Sequence, residues 1–64
     1  MKREALIREL RQLARQAGVE FVVTPNAGKG SHYLVRFGTK RTIIQSGELK
    51  PQRVKDIRKQ LGID

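Results

Sequence analysis

The sequence predicts an α+β fold in the order α-β-β-β-α, a two-layer sandwich in which a three-stranded antiparallel sheet carries both helices on one face. Apolar residues recur at steps of three and four near both ends of the chain, a pattern typical of amphipathic helices. The middle of the chain is rich in β-branched and aromatic residues and in glycine, which is typical of strands and turns. At 64 residues, the chain has room for one domain with one thin core, spanning residues 1–64.

The first helix is predicted over residues 2–16, and Gly18 is its predicted stop. Its apolar stripe is expected to contain Leu6, Leu10, Leu13, Ala14 and Ala17. The reverse face is expected to be basic and polar, with Arg3, Arg11 and Arg15 beside Gln12 and Gln16. This helix is therefore predicted to pack on one side and to present positive charge on the other.

Three strands are predicted over residues 19–24, 31–36 and 40–45. The glycine-rich segment 26–30 connects the first two strands. Gly38-Thr39 predicts a two-residue hairpin turn of type II′, which makes the second and third strands antiparallel neighbours. In the second strand, Tyr33, Val35 and Phe37 are expected to face the helices, and His32, Leu34 and Arg36 to face outward.

The second helix is predicted to begin at Pro51, because proline is tolerated in a first helical turn. Its apolar stripe is Val54, Ile57 and Leu61, and Gly62 is its predicted stop. Basic residues lie around the remaining surface: Arg53, Lys55, Arg58 and Lys59. This surface is either solvated or in contact with RNA.

Fourteen basic and six acidic residues give a formal net charge of +8, so nucleic acid is the expected partner, with solubility as the alternative role of the charge. The absence of cysteine excludes disulfides and fits a cytoplasmic protein. One histidine without cysteine does not provide the soft ligands of a tetrahedral zinc site, and no metal or small-molecule cofactor is expected. Charges interrupt every apolar run, so neither a signal peptide nor a membrane partner is expected.

His32 is the only histidine and therefore the only imidazole of the chain, the side chain best suited to transfer protons near neutral pH. It is the candidate catalytic residue, and its alternative interpretation is a solvated strand residue without a special role. The candidate substrate-binding residues are Lys29, Gly30, Ser31, Arg36 and Arg41. Glycines allow a close backbone approach to phosphate, and Lys29 and the arginines supply positive charge. Tyr33 and Phe37 are expected in the core rather than stacked on bases.

These residues predict a specific reaction on RNA. The 2′-hydroxyl of the substrate is the nucleophile, and His32 either accepts its proton or protonates the leaving 5′-oxygen. Lys29, Arg36 or Arg41 offsets charge on the pentacoordinate phosphate, and water or Tyr33 supplies the second proton-transfer group. Ser31 is disfavoured as a nucleophile because no acidic third member of a triad is recognisable.

The chain resembles the HicA family of bacterial toxins, small mRNA interferases with a fold like that of a double-stranded-RNA-binding domain. The resemblance is carried by the opening basic helix, the segment Gly28-Lys29-Gly30-Ser31-His32, the returning hairpin, and Gly47-Glu48-Leu49-Lys50-Pro51 leading into the second helix. It implies that His32 is catalytic, that Gly30 shapes the approach to it, and that an antitoxin of the HicB kind covers the site.

Three hypotheses follow for function. The first is a toxin endoribonuclease that cleaves mRNA without a metal and is neutralised by its antitoxin. The second is a non-catalytic RNA-binding module in which His32 is incidental. The third is an interaction domain whose basic surface meets an acidic protein partner.

Overall fold

The elements in chain order are α1 (Arg3–Ala17), β1 (Phe21–Thr24), β2 (Tyr33–Phe37), β3 (Lys40–Ile44) and α2 (Pro51–Gln60). They come from a computed structural model that describes residues 1–25 and 32–63. The order α-β-β-β-α and the α+β class are as predicted from the sequence. Among these residues, neither helix is long and apolar enough to cross a membrane.

Each helix is terminated by a glycine, as predicted, because the backbone adopts left-handed φ and ψ angles at that residue. Gly18 has φ 70°, and the backbone N–H of Val19 donates to the carbonyl of Ala14 at 3.0 Å. Gly62 has φ 71° and ends α2 in the same way. The Val19 amide takes part in this capping motif, so β1 begins at Phe21 and is two residues shorter than predicted.

The sheet has the strand order β1-β2-β3, and both pairings are antiparallel. Val35, at the centre of β2, lies opposite Val23 of β1 and Thr42 of β3. The predicted two-residue turn is present between Phe37 and its partner Lys40, with a φ of 64° at its first residue, glycine. The middle strand is thus held on both sides, which fixes the position of every residue along it.

One apolar core lies between the sheet and the two helices. The residues buried in it are Leu6, Leu10, Val35, Ile44, Leu49, Ile57 and Leu61. Tyr33 and Phe37 are partly buried and pack against this core, so the predicted inward face of β2 is confirmed. Both helices therefore cover the same face of the sheet, and no helix of the described residues covers the other face.

The sequence-based assignment of Arg3 to the basic outer face of α1 is wrong. Arg3 is only 7% exposed, and its guanidinium carbon lies 3.7 Å from the centroid of the Tyr33 ring. Arg3 falls on the buried side of the helix, four residues before Ile7 and seven before Leu10, and the stack on Tyr33 lets the guanidinium occupy that position.

Ala17 is a second departure from prediction, because it is exposed rather than part of the buried stripe. It is the last residue of α1, at the point where the chain turns away from the core. The helical periodicity places Ala17 on the side of the apolar stripe, but its position at the end of the helix leaves it exposed.

The first two residues of the chain pair with the loop before α2. Lys2 forms an isolated antiparallel bridge with Glu48, and the backbone N–H of Leu49 donates to the carbonyl of Met1 at 2.7 Å. The α-ammonium of Met1 lies 2.5 Å from the Glu48 carboxylate. These contacts tie the start of α1 to the loop and hold Leu49 in the core, where it is 5% exposed.

Candidate nucleic-acid interface

The candidate catalytic residue, His32, lies directly before β2 and is half-buried. The predicted substrate-binding residues Lys29, Gly30 and Ser31 lie outside the described residues. The structure describes His32 and two of the five predicted substrate-binding residues, Arg36 and Arg41. It pairs Arg36 with Arg41, whereas His32 lies four residues before Arg36, about 13 Å along an extended chain.

The face of the sheet that is turned away from the helices is called here the open face. Its residues are Val22 and Thr24 of β1, Leu34 and Arg36 of β2, and Arg41 and Ile43 of β3. The pairing registers place Val22, Arg36 and Arg41 in one row across the sheet and Thr24, Leu34 and Ile43 in the next row. Two shallow concavities that share Leu34 and Arg41 lie over these rows. The open face thus combines an apolar floor with guanidinium groups.

Arg36 and Arg41 lie directly opposite each other on neighbouring strands. Like charges at such a position are destabilising. Arg36 is partly neutralised by Glu20, with Nη2 2.5 Å from the carboxylate oxygen, and both side chains are largely exposed. Arg41 is exposed and forms no ion pair within residues 1–25 and 32–63. A phosphate bound between the two guanidinium groups would relieve their repulsion and accept hydrogen bonds from both.

Arg53 adds a third guanidinium group at the border of this surface. It projects from α2, and its Nη2 donates to the backbone carbonyl of Ile43 at 2.8 Å. It also lines one of the concavities, together with Leu34 and Arg41. Helical periodicity places Arg53 on the polar side of α2, but its approach to β3 depends on how the helix crosses the sheet, which no sequence signal reports.

The alternation of side chains along β2 predicts that His32 lies on the same side of the sheet as the open face. It lies two residues before Leu34 and four before Arg36, and alternate residues of an extended chain point to the same side. Tyr33 lies on the opposite side of the strand and packs against the core. Its ring is covered by the Arg3 guanidinium. This packing disfavours Tyr33 as the second proton-transfer group of the predicted reaction.

The described part of the chain brings together no group of three or more His, Cys, Asp or Glu side chains that could hold a metal ion. Comparison of the chain with protein-family models, curated proteins and solved structures finds no match. Its function is therefore inferred from the residues themselves and from the geometry of the open face.

Proposed function

We propose that this protein is a toxin endoribonuclease of the HicA kind, which acts in the cytoplasm on mRNA and uses His32 as its proton-transfer group. One observation carries the proposal. The only imidazole of the chain directly precedes β2, and the alternation of side chains along the strand puts it on the same side of the sheet as Arg36, which lies opposite Arg41. A group that can move protons near pH 7 thus directly precedes a strand pair that carries two guanidinium groups able to bind phosphate.

The proposed reaction is a transesterification within the substrate. The 2′-oxygen of the RNA forms a bond to the adjacent phosphorus, and the bond from phosphorus to the 5′-oxygen breaks. His32 accepts the proton of the 2′-hydroxyl or donates one to the leaving 5′-oxygen, and water exchanges the other proton. The products are a 2′,3′-cyclic phosphate and a 5′-hydroxyl, and no metal is required.

Arg36 and Arg41 are proposed to stabilise the charge that develops on the phosphate. Guanidinium groups match the oxygens of a phosphate with two parallel hydrogen bonds each, and they remain charged at every physiological pH. Groups already in place when negative charge accumulates lower the barrier to reaction. Lys29, which is close to His32 in the sequence, is a further candidate for this role.

The proposal is tested by incubating a long unstructured RNA with the purified chain in the presence of a chelator. His32→Ala should abolish cleavage. His32→Gln should abolish it as well, because an amide donates and accepts hydrogen bonds but does not titrate. Lys50→Gln, a change of an exposed lysine whose side chain does not cap α2, is the control and should cleave at the wild-type rate. Cleavage by His32→Gln at that rate would show that the imidazole does not transfer the proton.

The substrate provides a second control. DNA of the same sequence lacks the 2′-hydroxyl and should remain intact under conditions in which the RNA is cut. Cleavage of both polymers at similar rates would exclude the transesterification, because no internal nucleophile exists in DNA.

A non-catalytic RNA-binding module is the second candidate function. It is favoured by the arginine groups of the open face, which can hold a phosphate backbone without any contribution from His32. Equal binding of RNA by the folded wild type and by His32→Ala, with no cleavage by either, would establish this function instead.

An antitoxin of the HicB kind is the proposed protein partner. A chain of net charge +8 is complementary to an acidic segment that covers the open face. Expression of the wild type without a partner should arrest growth, whereas His32→Ala should be tolerated at the same protein level. Equal toxicity of the two would contradict the role of His32.

A further inference from the structure

The outer face of α1 carries three arginines that the proposed reaction does not use. Arg8, Arg11 and Arg15 follow one another at steps of three and four residues and are all exposed. We call these three residues the arginine stripe. Together with Gln12 and Gln16 they line one shallow concave surface, to which no other residue of 1–25 and 32–63 contributes.

The charge of the arginine stripe is not neutralised by its own helix. The acidic residues of α1 are Glu4 and Glu9. Glu4 lies 3.2 Å from a guanidinium nitrogen of Arg3, and Glu9 accepts a hydrogen bond from Arg58 of α2. Both carboxylates are thus engaged by arginines outside the stripe.

The stripe is distinct from the open face. Helix α1 packs on the side of the sheet opposite Arg36 and Arg41, since Leu6 and Leu10 are buried in the core between the layers. The arginine stripe therefore belongs to the helical layer of the sandwich, and the open face lies on the other side of the sheet.

The composition of this surface indicates the kind of ligand. A protein interface is organised around buried apolar or aromatic anchors, whereas every described residue that lines this concave surface is an arginine or a glutamine. Seven residues of helix separate Arg8 from Arg15, a rise of about 10 Å, so the three arginine side chains can reach more than one phosphate group of a strand. Guanidinium groups bind phosphates, and glutamine amides can bind sugar hydroxyls between them.

We infer that the arginine stripe is a second RNA-backbone site, which holds a part of the RNA remote from the phosphate that reacts. The inference rests on the proposed function only in its choice of RNA as the ligand. The site does not take part in proton transfer, so it contributes to the affinity for long RNA and not to the chemical step.

The test measures RNA affinity against salt concentration, with every protein carrying His32→Ala so that the RNA stays intact. Arg8→Gln combined with Arg15→Gln removes two charges from the stripe and retains good helix formers. Arg11 is left in place, because its guanidinium lies 5.6 Å from the centroid of the Phe21 ring. The control is Lys2→Gln combined with Lys50→Gln, which removes the same charge from two exposed lysines whose side chains cap neither helix.

Each lost phosphate contact lowers the slope of log affinity against log salt by about 0.7 for single-stranded RNA. The stripe variant should therefore show a slope smaller by about 1.4, and the control variant should keep the slope of the parent. Circular dichroism confirms that both variants are folded. Equal slopes in the two variants would mean that only net charge matters and would overturn the inference.

Two further outcomes keep this site separate from the proposed function. If the stripe variant binds RNA like its parent but loses affinity for polyglutamate, the ligand is an acidic protein and the inference is wrong. If the stripe variant loses RNA affinity while the chain with an intact His32 never cleaves RNA, the stripe is an RNA site and only the proposed nuclease activity fails.

Discussion

The stack of Arg3 on Tyr33 should contribute measurably to stability. A partly desolvated guanidinium over an aromatic ring contributes about 2 kcal/mol, and the two buried methylenes that alanine lacks contribute about 0.8 kcal/mol each. Desolvation of the guanidinium offsets part of this sum. We therefore expect Arg3→Ala to lower the free energy of unfolding by about 2 kcal/mol, which corresponds to a fall in Tm of about 8 to 16 °C in a domain of this size.

Arg11→Ala is the matched control, because it removes an exposed arginine from the same helix. Its guanidinium lies 5.6 Å from the Phe21 centroid, against 3.7 Å for Arg3 and Tyr33. A contact of that kind contributes about 0.5 kcal/mol. Urea unfolding followed by circular dichroism gives both values, and losses that agree within about 0.5 kcal/mol would refute the special role of the Arg3 stack.

Three further predictions concern the core, the pH dependence of stability and the open face. Ile57→Ala should lower the free energy of unfolding by about 2 to 5 kcal/mol, because Ile57 is fully buried. A loss of that size is enough to unfold much of the protein, and thermal melts measure it. The Met1 ammonium holds the pKa of Glu48 below its ordinary value, so this pair stabilises the fold above the ordinary carboxyl pKa, and the contribution is lost as pH falls through the lowered pKa. Glu48→Gln should therefore be less stable than wild type in urea at pH 7 and equally stable once the pH is below that lowered pKa; a difference that persists there would point to another cause. Glu20→Gln should increase RNA affinity, since it frees Arg36 from a competing carboxylate, and unchanged binding in a gel-shift titration would place Arg36 outside the interface.

The helices and turns were predictable because they depend on local physics. Pro51 begins α2, and Gly18 and Gly62 end the two helices, because each suits a backbone conformation that its neighbours cannot provide. The inward face of β2 was predictable from the alternation of Tyr33, Val35 and Phe37. The register of β2 against β3 then follows from the two-residue turn that joins them.

Arg3 was not predictable from its residue type, because arginine is normally exposed. Its spacing to Ile7 and Leu10 was a signal of burial, but recognising it requires a partner able to accept a guanidinium group, and Tyr33 is distant in the sequence. The burial of Arg3 is thus a tertiary effect that a helical pattern alone does not decide.

The candidate site was partly predictable. Arg36 and Arg41 could be placed together because a two-residue turn joins their strands. The ion pair of Arg36 with Glu20 and the approach of Arg53 to β3 could not, since both depend on how separate elements pack. The hydrogen bond from Arg58 of α2 to Glu9 could not be predicted either. It is this contact that leaves the positive charge of the arginine stripe without a carboxylate partner from Glu9.

The most direct test of the proposed function is to identify the chemical ends of RNA fragments produced in the presence of a chelator. We expect the wild type to leave 2′,3′-cyclic phosphate and 5′-hydroxyl ends, as determined by mass spectrometry, and His32→Ala to leave the RNA intact. Fragments with 5′-phosphate ends, or identical fragments from the wild type and His32→Ala, would contradict catalysis by His32 through the 2′-hydroxyl.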